Sequence, residues 1–88
     1  MKSLAEHFRS LKFPDDFSQN PENYGAIRQM IREFLLEEFK LTVLGVCYRY
    51  NYDLNFKFVW DEASLKSAAK IREVLRGIDP RKHILRVP

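Results

Sequence analysis

The chain has 88 residues, 45% of them hydrophobic and 31% charged, and a formal net charge of +3. That length suits one domain, residues 1–88, and leaves little core to spare around a deep substrate cleft. The apolar content excludes the disordered class, and the single cysteine, Cys47, excludes an internal disulfide.

A first helix is expected over Leu4–Leu11. Ser3 and Glu6 have capping-box spacing, and Leu4, Phe8 and Leu11 share one face. Pro14 stops it, and Lys12–Asn20 reads as a loop that Phe13 and Phe17 pin to the core. A second helix starts at Asn20 as N-cap and Pro21 as first helical residue. Tyr24, Ile27, Ile31, Phe34 and Leu35 form its apolar stripe, widened by Met30 and Phe39.

From Leu41 the period changes from helical to alternating. Leu44, Val46, Tyr48 and Tyr50 alternate with Val43, Gly45, Cys47 and Arg49. After a turn near Asn51–Asp53, Leu54, Phe56, Phe58 and Trp60 alternate with Asn55, Lys57 and Val59, which predicts a β-hairpin. Leu54, Phe56, Phe58 and Trp60 read as a core column, because turning that column outward would bury Lys57. The opposite face then carries Arg49, Asn51, Asn55 and Lys57 beside Val43, Cys47 and Val59. A third helix is expected over Glu62–Arg76, capped by Asp61 and ended by Gly77, with Leu65, Ala68, Ala69, Ile71 and Leu75 facing inward. His83–Val87 reads as a last strand. The expected fold is a small α+β two-layer sandwich of order α-α-β-β-α-β, its hairpin and C-terminal strand packed under the helices.

No catalytic constellation, metal-ligand spacing or phosphate loop occurs, so no catalytic residue, metal or cofactor is expected. His7 and His83 lie at opposite ends of the chain, and Cys47 reads as a small buried strand residue. The lone thiol suggests a reducing, cytoplasmic compartment. Met1–Leu11 lacks a leader pattern, and the uncharged run Leu41–Tyr48 is too short to span a bilayer.

Binding is the expected activity. Residues 61–88 carry seven Lys or Arg against four acids, which accounts for the whole +3 excess. The candidate contacts are Arg72, Arg76, Arg81, Lys82 and Arg86, with Arg49 and Lys57 from the hairpin. They suit an acidic protein surface or phosphates. The first reading is a non-catalytic regulator, an inhibitor, adaptor or immunity-type protein, acting stoichiometrically on a protein partner. The second-helix acids and the loop aromatics are further candidate contacts in that reading. The hairpin edge can also add a strand to a partner or to a second copy. The alternative is an RNA- or DNA-binding module using the third helix and last strand.

Three partial likenesses bear on this choice. Asn55–Trp60 followed by a helix resembles the third strand and second helix of an RNA-recognition motif, which implies bases stacked on strand aromatics. The helix, hairpin, helix, strand order, with Thr42–Val46 and Ile84–Pro88 as strands, resembles the KH-type layout of ribosome-binding factor A and implies RNA contact. Phe13–Asn20 between two helices resembles the inter-helix loop of barstar-type nuclease inhibitors, which implies a protein target.

Overall fold

A computed structural model of the protein describes residues 2–50, 54–78 and 85–86, with side chains described for 2–48 and 57–78. Helix α1, Leu4–Ser10, begins as expected. Ser3 Oγ accepts from the Glu6 N–H at 3.2 Å, and the Ser3 N–H donates back to Glu6 Oε1 at 3.4 Å. Both partners satisfy donors that a helix start otherwise leaves open.

The Lys12–Asn20 loop contains structure that the sequence reading did not place. Helix α2, Asp15–Ser18, follows Pro14, and a 3₁₀ turn over Pro21–Asn23 leads into α3, Tyr24–Phe39. Pro14 is well suited to precede a helical turn, since its missing N–H is not needed there. Asn20 does cap, accepting from the Glu22 N–H at 3.1 Å, but what it caps is the 3₁₀ turn. The expected stripe on α3 is borne out: Ile27, Ile31, Phe34, Leu35 and Phe39 are buried, and Tyr24 and Met30 pack against them. At its end Lys40 adopts a left-handed conformation, φ 57°, and the Lys40 and Leu41 N–H groups donate to the Leu36 and Leu35 carbonyls. That reversal feeds the chain into the sheet.

Strands β1, Val43–Tyr50, and β2, Leu54–Trp60, pair antiparallel as the expected hairpin. The register runs Gly45↔Val59, Val46↔Phe58 and Cys47↔Lys57, but the next pair is Val43↔Trp60. Leu44 is therefore an extra residue in a β-bulge. The bulge reverses the expected facing at the strand's start: Val43 is buried and Leu44 is 57% exposed. Cys47, expected to be buried, is exposed. Phe58 and Trp60 are buried as expected, and their rings stack at 5.1 Å. Leu54 and Phe56, the other half of that column, lie outside the residues with described side chains.

The third helix is two helices. Helix α4, Glu62–Leu65, is capped by Asp61, whose carboxylate accepts from the Ser64 N–H at 2.7 Å; α5 is Ala68–Leu75. Ser64 Oγ also accepts from the Thr42 N–H at 2.9 Å, tying α4 to the start of the hairpin. Lys66 and Ser67 break the axis, and the inward face shifts with it. Ile71, Val74 and Leu75 are buried, whereas Ala68 and Ala69, expected inside, are exposed. Gly77 has φ +83°, and the Ile78 N–H donates to the Leu75 carbonyl at 3.0 Å across the turn. Glycine is needed there because a side chain disfavours that backbone conformation.

The fold is thus a small α+β domain of helices packed on an antiparallel hairpin, with the core between them. Of the expected strand His83–Val87, only Leu85–Arg86 fall within the described residues, as a two-residue parallel bridge beside β2.

Tyr48 locks the layers together. Its ring stacks on Phe8 at 5.4 Å and meets Tyr24 edge-on at 5.1 Å. Its hydroxyl donates to the buried Ser18 carbonyl at 2.9 Å. Tyr48→Phe should destabilise the protein by about 1–2 kcal/mol, because the Ser18 carbonyl loses a buried donor. Urea denaturation would show a lower midpoint with an unchanged slope.

On the neighbouring seam His7 stacks on Phe34 at 4.1 Å. Partial burial, with Lys2 nearby, lowers its pKa below the ordinary 6.5, and Glu38 opposes the shift. The folded state therefore resists protonation more than the unfolded state does. Its contribution is whole above about pH 6.5 and is lost as pH falls through the folded-state value. His7→Gln should flatten that part of the stability–pH profile, and in the native protein the His7 imidazole resonance should titrate below 6.5.

Candidate functional site

Among the described residues, the helices cover one face of the hairpin and leave the other bare. On the bare face β1 contributes Leu44, Gly45 and Cys47, and β2 contributes Lys57 and Val59. Between the strands lies a shallow depression of about 270 Å³, bordered by Gly45, Cys47, Lys57 and Val59. Leu44 stands beside it. Gly45, which has no side chain, is one of its lining residues.

Nothing described within the fold requires glycine there. Gly45 does not have a positive φ, and a Cβ would meet Val59 at 3.8 Å, an ordinary contact. Glycine inside a strand costs roughly 0.5–1 kcal/mol relative to alanine, and such residues often mark a close approach by another backbone or a ligand.

The basic residues do not gather on this face. Lys57 is exposed on it, opposite Cys47. Arg72 is exposed on α5. Arg76, expected to bind a partner, is engaged within the fold: it pairs with Glu6 of α1 and, at 2.7 Å, with Glu73. The hydrogen bond from Arg76 leads the causes that lower the Glu6 pKa, followed by the bond from the Ser3 backbone. Arg49 and Arg86 are placed by backbone only, Arg86 level with Val59, and Arg81 and Lys82 lie outside the described residues.

The loop aromatics are also committed. Phe13 meets Phe8 edge-on at 5.4 Å and lies 4.9 Å from Phe17, so both serve packing. Among the second-helix acids, Glu33 accepts from Gln29 Nε2 at 3.2 Å, and Leu36 is 54% exposed beside Glu37. A larger groove of about 460 Å³ runs between the end of α3 and α5. Its cations are occupied: Lys70 Nζ donates to the Phe39 carbonyl at 3.0 Å and Lys40 Nζ to the Glu37 carbonyl at 3.2 Å. Among the described residues no three His, Cys, Asp or Glu side chains gather as metal ligands, and no helix is long and apolar enough to cross a membrane.

Sequence reasoning missed Leu44 and the depression because it carried strict alternation through the bulge. The available signal was Gly45 itself, since an isolated glycine in a strand pattern marks a bulge or a close approach. Gly45→Ala should raise stability by roughly 0.5–1 kcal/mol, given its ordinary backbone and open space. Thermal denaturation checks this; a loss of stability would show that glycine is a structural requirement.

No family model, curated protein or solved structure matches this chain, so none of the three partial likenesses gains support.

Proposed function

We propose that this protein is a small non-catalytic regulator that acts in the cytoplasm by stoichiometric binding to another protein, through the bare face of its hairpin. The observation that carries the reading is the pairing of an extruded leucine with an unforced glycine. Leu44 is 57% exposed beside the Gly45 depression. An apolar knob next to a recess suits a partner side chain or backbone better than it suits phosphates. Lys57 supplies a positive charge beside it for an acidic partner surface. We take the expected last strand, His83–Val87, to extend the Leu85–Arg86 bridge as a third strand parallel to β2.

The competing nucleic-acid reading relies on the basic third helix and tail. Engagement of Arg76 by Glu6 and Glu73 weighs against it.

A tagged protein would be used as bait in lysate of its own host, with and without nuclease and at two salt concentrations. Leu44→Glu and Arg72→Glu would be run in parallel. The protein-docking reading expects a discrete band that survives nuclease and moderate salt, disappears with Leu44→Glu and persists with Arg72→Glu. Nucleic acid recovered only at low salt and lost with Arg72→Glu would overturn it in favour of the basic helix.

A further inference from the structure

The bare face also brings two nucleophiles together. Cys47 on β1 and Lys57 on β2 are direct partners in the antiparallel register, so they share one face of the hairpin. Both are exposed. Directly opposed residues of an antiparallel pair have Cβ atoms about 4.5–5.5 Å apart, and the flexible four-carbon stem of lysine can carry its amine over a neighbouring sulfur. Among the described residues none holds the Lys57 amine in a hydrogen bond or ion pair. Cys47 and Lys57 line the same shallow depression, with Gly45 and Val59 as its small and apolar walls.

We propose that this pair is a self-acylation site for short-chain acyl thioesters, with Cys47 receiving the acyl group and Lys57 keeping it. The Cys47 thiolate attacks the thioester carbonyl. A new C–S bond forms, the bond to the donor sulfur breaks, and the donor leaves as a thiolate that takes up the proton Cys47 gave up. The neutral Lys57 amine then attacks the same carbonyl. An amide C–N bond forms, the Cys47 C–S bond breaks, and the proton lost by nitrogen goes to the sulfur. The net change is thioester plus amine to amide plus thiol, with no oxidant or reductant, and the Cys47 thiol is regenerated. Two features favour this route over direct attack by the amine. A thiolate is intrinsically a very good nucleophile, and the second step is intramolecular. Gly45 and Val59 leave an apolar recess beside the sulfur for a short acyl chain. The product removes the Lys57 charge from the bare face. The inference does not rest on the docking reading, because purified protein and an acyl thioester are sufficient to test it.

The protein would be incubated with acetyl coenzyme A in mildly alkaline buffer and its lysines followed by peptide mass spectrometry. Lys57 should acetylate at least about tenfold faster than the exposed Lys2, Lys12 and Lys66, which have no such intramolecular step. Cys47→Ser should lower Lys57 to the rate of those lysines while circular dichroism and Tm hold. Lys57→Arg should strand the acetyl group on Cys47 as a thioester that hydroxylamine removes. Equal rates at all these lysines, or fast Lys57 acetylation that survives Cys47→Ser, would overturn the proposal. So would a Cys47 thioester in the unsubstituted protein that never passes to Lys57. Any of these failures leaves the lysate experiment to judge the docking reading independently.

Discussion

The arrangement of this domain depends on Tyr48. One side chain on β1 touches α1 through Phe8, the start of α3 through Tyr24 and α2 through the Ser18 carbonyl. Each contact is modest: an aromatic pair adds about 0.5–1.5 kcal/mol beyond burial, and a buried hydrogen bond a similar amount. Their convergence on one ring couples segments that are far apart in sequence. It also accounts for the ordered loop. The Asn23 side-chain amide donates to the Phe17 carbonyl at 3.1 Å, and Phe13 and Phe17 cover the cluster from above, so α2 is fixed where a bare loop was expected.

A hub on the inner face constrains the outer one. Tyr48, Val46 and Phe58 must point toward the helices, which sends Cys47 and Lys57 the other way. Strict alternation would then have turned Val43 outward and Leu44 inward. The bulge instead allows Val43 to enter the core opposite Trp60 while Tyr48 keeps its place. Leu44 is the residue displaced by that accommodation. Its exposure is therefore tied to core packing, whereas the glycine next to it is not required by any described contact. The two neighbours thus have different standing as evidence: core packing accounts for Leu44, whereas no described contact requires a glycine at position 45.

Much of the fold was legible in local chemistry. The Ser3–Glu6 box, the α3 stripe, the Asp61 cap and the Gly77 turn each rest on residues within a few positions of one another, and each is present. The misreadings arose where a distant contact decided. Just before the break at Lys66–Ser67, Ser64 accepts from Thr42, a contact across 22 positions. The bulge follows from the pairing of Val43 with Trp60. The role of Arg76 was hidden for the same reason, since Glu6 lies 70 positions away. Read from its own segment, Arg76 has only Glu73 three positions back, and the tertiary fold adds Glu6.

That last case bears on how charge should be read in this chain. The basic excess of the C-terminal third is real as composition, yet composition does not distinguish a cation facing a partner from one closing the fold. Arg76 links α1 to the end of α5, with both side chains half exposed, so the pair adds little stability. Among the candidate contacts with described side chains, Arg72 is exposed on α5 and Lys57 on the bare sheet face, so these two are on different elements. A phosphate backbone is best held by cations gathered along one surface. A protein partner asks for less: an apolar contact with a few charges at its rim. The hairpin's bare face has that composition, which is why we propose docking on a protein despite the basic pI.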